Sequence, residues 1–253
     1  MRNPGAPRAR ARIMPRVSPG ILVVERRDQV ALVTLNRPQK RNALSIELRL
    51  EIAEEFKRIG SDDAVACVVL TGAGSAFCSG MDTTQFGGDR ANRERLAESS
   101  FAAFDAVGRC PKPIVAAVNG PAVAGGFALA LFCDVRLASE TARLGFPELP
   151  AGIPPAYAAA RATLDAGLAR ELCLTGRLLD AEEALRRGVV AAVHPPAELV
   201  DAALTLAGTV AAAPRSAVLE TKRRILLERD TVWGPLFERE QQAFRAALLG
   251  EQS

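Results

Sequence analysis

The chain has 253 residues, 49% of them hydrophobic and 24% charged, with a formal net charge of +3. That balance suits a globular chain with one large core or two unequal parts. Acids are interspersed with the basic residues beyond residue 25, so a sequence pI near 8.7 does not amount to a nucleic-acid footprint, and no apolar run reaches the roughly 18–20 residues needed to span a bilayer.

Residues 1–20 hold five arginines, four prolines and no acid. A mitochondrial transit peptide shares the arginine-rich, acid-free composition, but four prolines oppose the amphipathic helix such a signal needs. A disordered tail on a soluble cytoplasmic protein of bacterial type is the expectation. The five cysteines, Cys67, Cys78, Cys110, Cys133 and Cys173, are scattered without a CxxC pair. With a single histidine, His194, they offer no metal site and read as small buried residues in a reducing compartment.

After the tail, ILVVERRDQVALVTLNR predicts two short strands joined at residues 27–29. SIELRLEIAEEFKRI predicts a helix capped by Ser45, with Leu48, Ile52, Phe56 and Ile59 on one face. Two further strand candidates follow, AVACVVL at 64–70 and PIVAAV at 113–118. Each feeds a glycine-centred turn: GAGSAFCSGMD at 72–82 and NGPAVAGGFALALFCD at 119–134. In the second turn FALALF reads as a buried helix starting at Gly125 and Gly126. From residue 158 alanine-rich helix candidates take over, and in the last of them Trp233, Phe237, Phe244 and Leu248 could share a packed face.

Either turn alone suits a tight strand-to-helix connection with glycines placed for packing. Together they suggest a pair of backbone donors. The first N–H groups of a helix have no internal partner and carry the positive end of its dipole, so Gly125 could receive an oxyanion. A second donor could be the N–H of Met81, after Gly80, and glycine lets an oxygen approach the backbone to about 3 Å.

LNRPQKRNALS (35–45), the two turns, GFPELPAGIP (145–154) and LTGRLLDAEEALRRGVV (174–190), in that order, resemble the crotonase superfamily, the enoyl-CoA hydratase/isomerase family, over roughly residues 20–250. The resemblance implies an α/β fold: a spiral of β-β-α units over 21–195, then a C-terminal helical region over 196–253 that joins subunits into a homotrimer or a dimer of trimers. It also implies an acyl-CoA substrate, with coenzyme A as part of the substrate and no separate cofactor.

By the same resemblance, Met81 and Gly125 are the oxyanion donors. Lys40 and Arg41, beside the backbone of Ser79, Gly80 and Asp82 and with Gly126 across the turn, would serve the CoA moiety. Lys222 and Arg223 would reach its 3′-phosphate across a subunit boundary. Hydratases of the family carry a glutamate three residues after the second donor, where this chain has Ala128. The second family glutamate is present as Glu148, between Pro147 and Pro150, in a setting that would raise a carboxyl pKa. One base suits a double-bond shift better than hydration, so an enoyl-CoA isomerase is expected. A hydratase in which Asp82 or Glu140 compensates, and an acyl-CoA-binding member without turnover, are the alternatives. His194 lies far from both turns, no GxSxG elbow exists, and GAGSAF is not a full GxGxxG.

Overall fold

A computed structural model describes residues 20–250; nearly all of the expected N-terminal tail lies outside them. The first hairpin is β1 (Leu22–Arg27) and β2 (Val30–Leu35), paired antiparallel. Helix α1 (Ile46–Ser61) begins where Ser45 accepts the Leu48 N–H at 3.2 Å, and its apolar stripe, Leu48, Ile52, Phe56 and Ile59, is buried. Then come β3 (Cys67–Gly72), α2 (Arg90–Ser100), α3 (Ala102–Gly108), β4 (Ile114–Val118), the short β5 (Ala122–Val123) and α4 (Gly125–Leu131). The segment after Met81, which carries no periodic apolar pattern, still forms α2, because Asp89 caps it through the Asn92 N–H at 2.8 Å.

The rest of the chain is β6 (Val135–Ser139), β7 (Arg143–Gly145), α5 (Tyr157–Thr163), α6 (Ala166–Thr175), β8 (Leu178–Asp180), α7 (Ala181–Arg186), β9 (Ala192–His194), α8 (Leu199–Ala212), α9 (Arg215–Val232) and α10 (Gly234–Leu249). A six-stranded sheet runs β1-β2-β3-β4-β6-β9, parallel from β2 onward, and a three-stranded sheet runs β5-β7-β8.

Strands β3 and β4 are buried along their whole length, as parallel strands covered on both faces must be. Alternation divides their side chains: Val68, Leu70, Ile114 and Ala116 enter the main core with α1, α3 and α4, while Cys67, Val69, Val115 and Ala117 face Leu199, Ala203 and Ala207 of α8. Helix α8 thus closes the back of the sheet although it lies beyond residue 195. At the other end Trp233 and Phe237 are packed core, with ring centroids 4.9 and 5.6 Å from Phe132. Phe101, at the end of α2, stands 5.3 Å from Phe237 and 5.8 Å from Phe244. This aromatic seam docks α10 beside the segment that follows the first glycine turn. No single helix among the described residues is long and apolar enough to cross a membrane.

Candidate active site

Three loops interlock at the C-terminal ends of β2, β3 and β4. Cys78 O accepts the Val123 N–H at 3.1 Å, Pro121 O accepts the Phe77 N–H at 3.1 Å, and Ser79 N–H reaches Arg41 O at 3.0 Å. Leu44 grips both sides of Met81: its N–H donates to Gly80 O at 2.8 Å and its carbonyl accepts the Asp82 N–H at 3.2 Å. The N–H of Met81 itself, between these two bonds, has no backbone partner among the described residues, and neither does that of Gly125 at the start of α4.

The two donors stand side by side because glycine brings the turns together. A Cβ on Gly80, whose φ is +89°, would lie 3.2 Å from Gly125 N, and one on Gly126 would lie 2.1 Å from Cys78 O. Between the turns Ala124 takes φ 53°, ψ −129°, a sparsely populated conformation for a residue with a Cβ, and its N–H is held by Gly145 O at 2.9 Å. Helix α4 has only 7 residues, so what the turns offer an acceptor is unpaired N–H groups more than a long dipole.

The pairing that holds Ala124 also delivers Glu148. Strands β5 and β7 are parallel, with Val123 opposite Gly145, and Phe146 packs 5.0 Å from Phe127 of α4. Pro147 and Glu148 follow directly in the chain. Glu148 Oε2 is buried and has no hydrogen-bond partner among the described residues. Burial pushes its carboxyl up to about 7, against a smaller opposing effect of its backbone hydrogen bond. That is the setting of a proton-transferring carboxylate.

A cavity of about 580 Å³ adjoins this loop, walled by Leu149, Pro155, Tyr157, Cys173 and Glu240 among others. Glu240, on α10, accepts the Ala158 N–H at 2.7 Å and is also raised to about 7 by burial. Cys173 lies within the fields of both carboxyls; burial first, then Glu148 and Glu240, raise its thiol to about 12. Sequence reading missed Glu240. The signal was its spacing, three residues after Phe237 and four before Phe244, which puts a carboxylate on the helix's apolar stripe.

Ala128 has no exposed surface and belongs to the main core; it presents no polar group to the site. Neither suggested substitute acid fills the gap. Asp82, though burial would raise it, is held below the usual carboxylate range by Thr84 and Arg37, with Arg37 Nη2 at 2.9 Å and Thr84 Oγ1 at 2.6 Å; it builds the turn. Glu140 is exposed, and its N–H pairs with His194 O at 3.1 Å.

Of the cations expected to serve CoA, Lys40 ends a short helical turn and Arg41 follows in the left-handed region with φ 49°. Both are exposed next to Ser79 and Gly80, and neither forms an ion pair among the described residues. Lys222 does not join them. Its side chain is 1% exposed and its ammonium contacts both Asp134 oxygens, at 2.8 and 2.7 Å, which ties α9 to the start of β6; a phosphate role would strip a buried carboxylate of its partner. Arg223 is exposed and paired with Glu220 at 2.8 Å. No group of three His, Cys, Asp or Glu side chains able to hold a metal occurs among the described residues.

Residues 25–246 match the family model described as enoyl-CoA hydratase/isomerase. The chain belongs to the enoyl-CoA hydratase/isomerase family. It is 36% identical over 230 residues to an enoyl-CoA hydratase of Mycobacterium tuberculosis, covering 88% of this chain and 84% of that one. It is also 34% identical over 250 residues to the (E)-benzylidenesuccinyl-CoA hydratase of Thauera aromatica, covering 91% and 96%. Among solved structures, an enoyl-CoA hydratase/isomerase from Mycobacterium paratuberculosis superposes with a TM-score of 0.84 at 27% identity, covering 90% of this chain and 93% of the other. One from Pseudoalteromonas atlantica gives 0.80 at 32% identity, covering 92% of each. The crotonase superfamily and its α/β architecture, expected from the dispersed motifs, are thereby established.

Proposed function

We propose that this family member is an enoyl-CoA isomerase that moves a double bond with one base. A 3-enoyl-CoA places its thioester oxygen between the N–H groups of Met81 and Gly125. The carboxylate of Glu148 takes a proton from C2, the electrons pass onto the thioester oxygen as a dienolate, and the carboxyl returns the proton at C4, leaving the double bond between C2 and C3. Two aligned donors at the developing oxyanion are each worth a factor of roughly 10² to 10³. A base whose pKa lies near 7 is matched to a proton that is taken and given back.

The observation that carries this reading is the contrast of two positions: Glu148 ends in a buried oxygen without a partner among the described residues, while the residue three positions after Gly125 is a buried alanine. Lys40 and Arg41 are assigned to the CoA phosphates, with no cofactor besides the CoA of the substrate. All five cysteines are free and buried, which suits a reducing compartment such as the cytoplasm. A homotrimer or dimer of trimers is the proposed assembly.

Hydration is the second reading. It is favoured by Glu240, another buried carboxyl on the wall of the neighbouring cavity, and by the hydratase names of the Mycobacterium and Thauera relatives. Purified protein given 3-enoyl-CoA and 2-enoyl-CoA of several chain lengths separates the two. Conversion of the 3-enoyl to the 2-enoyl thioester supports isomerisation; accumulation of 3-hydroxyacyl-CoA at a comparable rate overturns it; binding without turnover of either would leave an acyl-CoA-binding protein.

A further inference from the structure

Beneath the first turn lies a cation that the proposed reaction has not used. Arg49, on α1, is fully buried. Its Nη1 donates to Leu44 O at 3.1 Å and its Nη2 to Ser99 Oγ, on α2, at 2.8 Å, while Nε has no partner. Burial lowers its pKa, to about 10, with Glu47 and Asp82 acting in the opposite sense, so it stays charged at neutral pH. It forms no ion pair among the described residues. Glu47 and Asp82 are the acids whose fields reach it, and Asp82 is already committed to Arg37.

Two guanidiniums therefore grip neighbouring carbonyls of one strand-like segment. Arg37 holds Ala43 O and is neutralised by Asp82. Arg49 holds Leu44 O and has no counter-ion in contact. Leu44 is the residue whose N–H and C=O fix Gly80 and Asp82 on either side of Met81. A buried, unneutralised charge is costly unless something repays it, and in a water-poor site a fixed positive field acts most strongly where negative charge develops.

We infer that Arg49 is a positioning residue of the oxyanion hole: through the Leu44 carbonyl it sets the Met81 donor, and its uncompensated charge favours the anionic form of the substrate. The inference rests on the proposed role of Met81 and Gly125. It also ties the hole to α2 through the Ser99 hydroxyl.

The test uses the full chain and a conjugated probe, 2,4-hexadienoyl-CoA, whose ultraviolet absorption moves to longer wavelength when its thioester carbonyl is polarised. The wild-type protein should shift the bound probe to the red. R49M should lose most of that shift and ten- to a hundredfold of kcat, with KM within about threefold; R49K, which keeps the cation, should recover the larger part of both. S99A, a milder change that frees the guanidinium at one end, should show an intermediate shift, and it carries the test if R49M does not fold. A full shift in R49M, or in S99A where R49M does not fold, overturns the role of Arg49. So does R49K as poor as R49M. A wild-type protein that binds the probe without any red shift removes the oxyanion hole itself, and the inference with it.

Discussion

In the proposed reaction the working atoms at the glycine turns belong to the backbone, and what matters is that side chains are excluded: a Cβ on Gly126 would sit 2.1 Å from Cys78 O. At the loop after β7 the working atoms of the proposed reaction belong to one side chain, and what matters is burial: Glu148 Oε2 is buried without a partner among the described residues. The proposed donors are held by backbone hydrogen bonds of 2.8–3.2 Å among residues 41–45, 78–82 and 121–125, so the side chain at 81 need not take part. The base has no such support and depends wholly on its own carboxylate. Substitutions in the first region should therefore act through geometry and those in the second through chemistry.

The largest effect is expected from Glu148→Gln, which keeps shape and removes the base. Turnover should fall by about 10³ to 10⁴ with CoA-thioester binding intact by calorimetry; unaltered turnover would break the comparison at its chemical end. Gly126→Ala tests the geometric end: because the Cβ meets backbone, the turns must separate, and kcat should fall by about 10², accompanied by a lower melting temperature, with the pH profile unmoved.

The pH dependence sharpens the same contrast. In the proposed reaction Glu148 works as the carboxylate, and burial has raised its pKa to about 7, so kcat/KM should rise with pH through a midpoint near 7 and be about tenfold lower at pH 6 than at pH 8. A midpoint near the ordinary carboxylate value of about 4.3 would show the residue to be solvated. The smallest effect on catalysis is expected from Lys222→Met: KM for CoA thioesters should stay within twofold while stability drops by about 3 kcal/mol, since Asp134 loses its main partner. A rise in KM of tenfold or more would return Lys222 to the nucleotide.

Much of this arrangement was legible in the residues. The Ser45 cap, the buried stripe of α1, strands near 64–70 and 113–118, observed at Cys67–Gly72 and Ile114–Val118, and the helix opening at Gly125 all follow from local patterns, and the ordered motifs point to the family. What escaped reading depends on distant partners. Lys222 meets Asp134 across 88 positions, so no local pattern distinguishes its buried ammonium from an exposed cation on a helix. Asp82 looks like a spare acid until Arg37, 45 positions earlier, is placed beside it. Strands β8 and β9 are three residues each, too short for alternation to register, and they form only because β7 and β6 lie ready to pair with them.

The most direct test follows a 3-enoyl-CoA in deuterated buffer by proton NMR, recording the 2-enoyl thioester, any 3-hydroxyacyl thioester and the deuterium content at C2 and C4. A single-base shuttle at Glu148 should give the 2-enoyl product without the hydroxy compound, with part of the C2 proton carried to C4, and E148Q should abolish the conversion. Rapid formation of the 3-hydroxyacyl thioester, or isomerisation that survives in E148Q, would contradict it.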